Sequence, residues 1–171
     1  AEFRTGGPFI VRSQDDQHPF YLASYMTGGG DFNNAGDPEF VNVIPAAQFL
    51  SQYVFFADPT YPETNLVMVR KKASDGKFKD VILDCAGPIG PFEPVGMSGE
   101  YEFARFDLVR FNFEKQGNCD NGRHEITSEA PFGLTVWGWG TDAAPGSTYV
   151  SYAYPAGASV QPINDVIVTP V

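Results

Sequence analysis

Short runs of β-forming residues, separated by turns rich in glycine and proline, recur along the whole chain. The 18 glycines and 14 prolines interrupt the sequence before a long helix could form. Eleven runs predict strands: Phe9–Arg12, Phe20–Met26, Glu39–Val43, Tyr53–Phe56, Asn65–Lys71, Phe78–Leu83, Tyr101–Phe113, His124–Thr127, Gly133–Trp139, Tyr149–Tyr154 and Asp165–Thr169. Only Pro45–Gln52 has a helical pattern. We therefore predict an all-β fold, an antiparallel β-sandwich of jelly-roll type with at most one short helix.

The length of the chain limits the number of domains that it can form. A chain of 171 residues, 43% of them hydrophobic, can bury one core of ordinary size. We find no repeat, low-complexity tract or linker, and we predict a single domain over residues 1–171. Residues 1–8 are interpreted as a disordered segment, in part a cloning scar at Ala1–Phe3.

The formal net charge of −10 excludes one large class of partners. Phosphate backbones and acidic lipid headgroups do not attract a surface of like sign, so we expect no nucleic-acid partner. No apolar run reaches the length of about 18 residues that spans a bilayer, so we expect no membrane insertion.

Two cysteines, Cys85 and Cys119, each stand beside a glycine turn at the end of a predicted strand. We predict a disulfide between them. The chain-entropy estimate for closing such a loop is about 4 kcal/mol. Two free buried thiols are the alternative, because one pair does not fix the redox compartment.

The segments Ala73–Gly76 and Tyr101–Phe113 carry two further signals. Asp75-Gly76 between β runs predicts a hairpin, and the basic residues around it are interpreted as a charged edge that prevents aggregation. In Tyr101–Phe113 the apolar face changes twice, which predicts a β-bulge or burial on both faces.

The glycine-rich stretch Met26–Phe40 has three possible roles. A phosphate cradle needs a following helix and usually a lysine, whereas this stretch leads into a predicted strand. Calcium is the second possibility, because short spacing brings together the oxygen ligands of Asp31, Asn33, Asn34 and Asp37. The glutamate that closes an EF-hand is missing, and a connection with Asx turns is the simpler interpretation.

Catalytic patterns are scarce. His18 and His124 are the only histidines, too few for a three-histidine zinc site. A nucleophile pair of Cys119 and His124 requires a free thiol, which the predicted disulfide would remove. We find no serine-nucleophile elbow and no distinctive pair of carboxylates. We therefore predict that the chain is not an enzyme, with a carbohydrate-active enzyme as the remote alternative.

Trp137 and Trp139 alternate with Val136 and Gly138, so both indoles lie on one face of a strand. Exposed, they would form a platform for sugar stacking; buried, they would form a layer of the core. Leu134 and Val136 make the other face apolar as well, and this favours the core interpretation.

Seven motifs in a fixed order resemble one known family. They are Gly36–Phe40, Val43–Phe49, Tyr53–Pro59, Val81–Asp84, Gly122–His124, Phe132–Gly138 and Ser151–Gly157. The sequence resembles the N-terminal domain of IgGFc-binding proteins, and within that family it is most similar to the C-terminal part of the domain in bacterial members. The resemblance implies an extracellular or cell-surface, non-enzymatic β-rich recognition module within a larger surface protein.

The predicted function is adhesion or recognition of a protein or glycan. A carbohydrate-binding or carbohydrate-active domain and a structural assembly module are the alternatives. Loops on a rigid scaffold commonly carry recognition, so the candidate ligand-binding residues are Tyr61, Trp137, Trp139 and the Thr27–Asp37 loop. Calcium is the one cofactor considered.

Overall fold

The structure is a computed structural model that describes residues 2–15, 17–26, 28–31, 34–142 and 146–160, with Asp31 described by its backbone alone. Every strand pairing is antiparallel. This confirms the all-β prediction. The described helical residues form two three-residue 3₁₀ helices, Gly29–Asp31 and Ala46–Gln48, the second inside the predicted helical segment.

The described residues contain eleven strands. They are β1 (Ala23–Tyr25), β2 (Phe40–Asn42), β3 (Leu50–Ala57), β4 (Glu63–Lys71), β5 (Val81–Leu83), β6 (Gly87–Pro88), β7 (Glu93–Pro94), β8 (Tyr101–Arg110), β9 (Glu114–Lys115), β10 (Gly122–Trp139) and β11 (Ser151–Pro155). The strand predicted at Phe9–Arg12 is absent, and the one at Asp165–Thr169 lies outside the described residues. The two-residue strands β6, β7 and β9 are too short for a periodic signal.

Strand β10 organises the main sheet, because it pairs with different neighbours along its two halves. Gly122–Thr127 pairs with β3 on one side, and Ile126–Ser128 pairs with β5 on the other. Phe132–Trp139 pairs with β4, and Thr135–Trp139 with β11. The register breaks between Thr127 and Phe132, so two predicted strands are one strand with an irregularity in its middle.

The two ends of β10 lie at the same end of the molecule. Gly122 pairs with Ala57 at the end of β3, and Trp139 pairs with Glu63 at the start of β4. Only residues 58–62 connect β3 to β4, so Gly122 and Trp139 cannot be far apart. The sheet therefore curls around the irregularity in β10, and we call the end that contains residues 58–62 the loop end.

One hydrophobic cluster fills the curled sheet and draws on both halves. The fully buried side chains include Phe132, Leu66, Met68, Leu83 and Ile126. They occupy alternate positions of their strands, as strands with one buried face require. Each large apolar side chain that is fully buried contributes about 1.5–3 kcal/mol.

Two tyrosines of β11 cover the free edge of β3. The Tyr154 hydroxyl lies between the Phe56 N–H and C=O groups, and the Tyr152 hydroxyl accepts from the Asp58 N–H at 3.0 Å. Burial raises the pKa of both phenols. Gly138 makes room for Tyr152, because a Cβ at this position would lie 1.9 Å from the tyrosine Cε1.

Residues 73–77 form the predicted turn, but the predicted hairpin is wrong. Gly76 donates to Ala73 at 2.9 Å, and its φ of 75° suits glycine. Strands β4 and β5 do not pair with each other, because both lie against successive stretches of β10. The turn thus connects the two halves of the sheet at its bend.

Strand β8 contains the predicted bulge. Its register against β4 shifts between Thr64, which faces Val109, and Asn65, which faces Asp107. Leu108 and Val109 are both buried as a result. The shift accounts for the second change of apolar face in the sequence.

Candidate functional site

Three connections meet at the loop end and are joined by hydrogen bonds. The Gly36 N–H donates to the Gly140 carbonyl at 2.8 Å, and the Asn34 side chain donates to Asp142 at 3.1 Å. The Thr141 hydroxyl contacts the Phe111 carbonyl at 3.5 Å. Segments 34–38, 111–113, 140–142 and 146–150 therefore form one surface of the described chain, which we call the loop-end surface.

All non-glycine residues with positive φ in the described chain belong to this surface. They are Asn34, Phe111, Phe113 and Tyr149, with φ between 54° and 61°. Asparagine tolerates this left-handed conformation, but in an aromatic residue it costs about 1–3 kcal/mol. Backbone strain is thus concentrated in one part of the molecule.

The three strained aromatic side chains are exposed. Phe111 is 61% exposed, Tyr149 53% and Phe113 38%. Phe111 and Phe113 follow directly after β8, and Tyr149 precedes β11, so each loop is attached to a strand of the main sheet. Strands β8 and β11 therefore position the three aromatic rings.

Trp137 and Trp139 lie on the outer face of β10, beside this surface. Their ring centroids are 6.2 Å apart with an interplanar angle of 24°. They are half-buried and outside the core cluster, so the favoured core interpretation is wrong. Phe132, Leu134 and Val136 hold the inner face instead.

The 34–38 segment packs on Trp139. A Cβ at Gly36 would lie 2.7 Å from Trp139 Cε3, and Gly36 also has a φ of 70°, so both space and backbone conformation require glycine here. The Trp139 indole N–H is buried and makes no hydrogen bond with the described residues. The structure thus brings together the glycine-rich loop and one of the predicted tryptophans.

Carboxylates border the loop-end surface together with Arg110, whose guanidinium lies 5.8 Å from the Phe111 ring centroid, and two pKa values respond to burial and to the carboxylates. Burial and the nearby Asp107 raise the pKa of Glu63. Burial and the carboxylates of Asp58 and Glu39 raise the pKa of Tyr61.

Tyr61 is part of an aromatic contact rather than an isolated exposed ring. It packs edge to face on Tyr152 with a centroid distance of 4.7 Å. Its carbonyl accepts from the Asn121 side chain at 2.9 Å, which ties residues 58–62 to the start of β10. Tyr61 borders the loop-end surface but carries no positive φ.

The four predicted calcium ligands are not assembled in the described part of the chain. Asn33 lies outside the described residues, and the side chain of Asp31 is not described. The Asn34 amide donates to Asp142, while the backbone of Asp37 exchanges hydrogen bonds with the Ser151 hydroxyl. Calcium binding by this loop stays a prediction.

His124, Asp84 and the predicted disulfide form a second polar cluster. Cys85 and Cys119 are bonded to each other, so a Cys119–His124 nucleophile pair does not exist. His124 Nδ1 lies 2.8 Å from Asp84 Oδ1, and Nε2 lies 2.7 Å from the Asp120 carbonyl oxygen. Each ring nitrogen of His124 therefore has an oxygen partner.

The Asp84 carboxylate is the anionic partner in this cluster. Partial burial acts to raise its pKa, but hydrogen bonds from His124 and from the Glu125 N–H outweigh burial and lower it. Asp84, Cys85 and His124 lie close enough to hold a metal ion. Cys85 is oxidised and both His124 nitrogens are occupied, so the cluster is structural.

Comparison with known protein families identifies the family of this chain. A family model described as IgGFc binding protein matches residues 1–138, more than three quarters of the chain. The chain belongs to the IgGFc-binding protein family. Comparisons with curated proteins and with solved structures gave no match.

The match to the IgGFc-binding protein family covers β1 to β9 and nearly all of β10. Phe111 and Phe113 lie within the matched residues, whereas Trp139, Tyr149 and β11 follow them. The described chain contains no helix that is long and apolar enough to cross a membrane.

Sequence reasoning missed Phe111, Phe113 and Tyr149. Phe111 and Phe113 were included in a predicted strand, and Tyr149 began another. The second phase change before Phe111 and the glycine and proline near Tyr149 were the signals that could have ended those strands earlier.

Proposed function

We propose that this chain is an extracellular, non-enzymatic recognition module that binds a protein ligand through the loop-end surface. The observation that carries the proposal is the concentration of strained, exposed aromatic residues there. Membership in a family described by binding of the IgG Fc part supports a protein ligand. The disulfide agrees with an oxidising compartment outside the cell.

The backbone strain at these positions supports a binding role, because glycine in place of the aromatic residue would remove the strain. Glycine adopts positive φ without steric cost, yet Phe111, Phe113 and Tyr149 occupy these positions. Such strain persists where the side chain is needed in that place, and it clusters at binding and catalytic sites. Large aromatic side chains also dominate the energetics of protein interfaces.

The acidic residues of the loop-end surface favour some protein ligands over others. Asp37, Asp58 and Asp142 belong to the connections at the loop end. Complementary potentials speed association and disfavour partners of like charge. The ligand we propose presents basic groups around an apolar centre, and the IgG Fc part is the first candidate to test.

The test measures binding of labelled protein to IgG Fc, to enzymatically deglycosylated Fc, to mucins and to a glycan array. Phe111→Gly and Tyr149→Gly remove two exposed rings and relieve the positive φ. We expect a saturable signal on a protein ligand that falls at least tenfold in the double variant.

The matched control is Phe56→Ala, which removes an exposed ring from a regular strand. Equal binding by the wild type and the double variant would overturn the assignment of the surface. A signal confined to free glycans would overturn the choice of a protein ligand, and silence on the whole array would favour a structural assembly module.

The same binding experiment also tests whether the loop binds calcium. If the Asp31–Asp37 loop binds calcium, a chelator should weaken binding because segment 34–38 belongs to the loop-end surface. Unchanged binding in the chelator would leave this loop as a connection.

A further inference from the structure

A groove of about 530 Å³ lies at the bend of the sheet, away from the loop-end surface. Its lining residues are Phe78, Lys79, Asp80, Ile82, Thr127–Ser128 and Glu129. The groove adjoins the irregularity in β10, where the strand leaves its partner β5 after Ser128 and joins β4 at Phe132. Such irregularities commonly lie next to functional sites, and the volume lies within the range of small-ligand sites.

One wall of the groove is irregular in structure but held in place. Residues 77–80 form no strand, yet the Arg70 guanidinium donates to the Lys79 carbonyl at 2.9 Å. Arg70 also forms a two-nitrogen contact with Glu102 and lies 3.8 Å from the ring centroid of Phe92. The wall is thus preorganised without a ligand, which lowers the entropic cost of binding.

Polar groups along the groove have spare hydrogen-bonding capacity. The Asp80 carboxylate and the Thr127 hydroxyl make no hydrogen bond within the described chain, and Ser128 Oγ accepts from the Ala130 N–H while its own proton remains available. Glu129 has only a distant contact with Lys79 Nζ at 3.8 Å.

The apolar side chains and the charges that line the groove limit the class of ligand that it could bind. Phe78 and Ile82 contribute apolar surface to the groove, and Ile82 lies beside Thr127, its pairing partner on β10. The charged side chains that line the groove are the carboxylates of Asp80 and Glu129 and the ammonium of Lys79, which pairs with Asp75 at 2.8 Å. The cations of Arg70 and Lys72 lie 5.2 and 5.4 Å from the Phe78 ring centroid, so charges of both signs border this ring. A pyranose has an apolar C–H face and a ring of hydroxyls, whereas the two lining carboxylates disfavour sialylated or sulfated sugars.

We propose that this groove binds a neutral sugar residue of a glycan, as a second site separate from the loop-end surface. Asp80 and Glu129 accept from sugar hydroxyls, Thr127 and Ser128 donate to them, and Phe78 and Ile82 contact the C–H face. A single open site of this kind binds weakly, and it gains strength when the glycan stands on a protein ligand that is also held elsewhere.

Saturation-transfer NMR tests the proposal with methyl glycosides of glucose, galactose, mannose and N-acetylglucosamine at millimolar concentration, beside sialic acid and a sulfated monosaccharide. We expect transfer to at least one neutral glycoside and none to the anionic sugars. In Asp80→Asn and Thr127→Val, affinity should fall about tenfold, because the first replaces a charged acceptor oxygen by an amide donor and the second removes the hydroxyl.

Glu114→Gln is the matched control, since it changes an exposed carboxylate on β9, far from the groove in the fold. Thermal melting of each variant verifies that the fold is intact. Transfer only to anionic sugars, no transfer to any sugar, or transfer unchanged in both groove variants would overturn the proposal. These outcomes are independent of the loop-end test, whose variants leave the groove intact.

Discussion

The Tyr154 hydroxyl oxygen lies 2.6 Å from the Phe56 carbonyl oxygen and 3.1 Å from the Phe56 amide nitrogen. One phenol therefore donates to and accepts from the same residue of β3. It takes the place that a neighbouring strand would occupy and leaves this part of the edge without free backbone groups.

Tyr154→Phe should lower the free energy of unfolding by about 1–3 kcal/mol, because two backbone groups lose their partner while the ring remains. Urea unfolding measures the change. Tyr101→Phe is the control, since its hydroxyl makes no hydrogen bond within the described chain. An equal effect of the two substitutions would contradict the edge-covering role.

His124→Gln should destabilise the fold by about 2 kcal/mol or more, because it breaks a buried contact with a carboxylate and a carbonyl. His18→Gln is the matched control, since its side chain is largely exposed, and should change stability by less than about 0.5 kcal/mol. Urea unfolding of both variants measures the change. The structural role of His124 would be contradicted if the two substitutions had equal effects.

Acid should destabilise the protein partly through Asp84. The pKa of this carboxyl is lower in the folded state than in the unfolded chain. Its contribution is therefore present above its unfolded pKa of about 3.9 and is lost as pH falls through the folded pKa. Asp84→Asn should show a smaller loss of stability between about pH 5 and pH 2. Parallel stability curves for the two proteins would argue against this linkage.

Gly138→Ala should destabilise the fold by about 2–4 kcal/mol, because the new methyl group would collide with the Tyr152 ring inside the packed sheet. Gly30→Ala is the control, since a Cβ at that exposed position meets no atom within 4 Å. Thermal unfolding of both variants gives the comparison. A tolerated Gly138→Ala would mean that Tyr152 can move away without cost.

The features predicted well from sequence depend on local pattern. Alternating apolar residues indicated β4 and β10, and the change of face in Tyr101–Phe113 indicated the bulge in β8. Cys85 and Cys119 were the only two cysteines, so their pairing needed no knowledge of the fold.

The features that were missed depend on contacts between distant residues. His124 and Asp84 are 40 positions apart, and nothing in either neighbourhood shows that they meet. Phe111 and Phe113 have positive φ in the three-residue turn that joins the paired strands β8 and β9, and no glycine or asparagine stands at either position to indicate it. The groove exists only because β10 changes partners in mid-strand.

The continuity of β10 also determines how the protein responds to mechanical load. Both ends of this strand lie beside the loop end, and each half is paired on two sides. Tension applied there by a bound ligand would be shared between the two halves of the sheet, because the single strand β10 runs through both. Extending the sheet from this end would require the pairs of β10 to break in both halves.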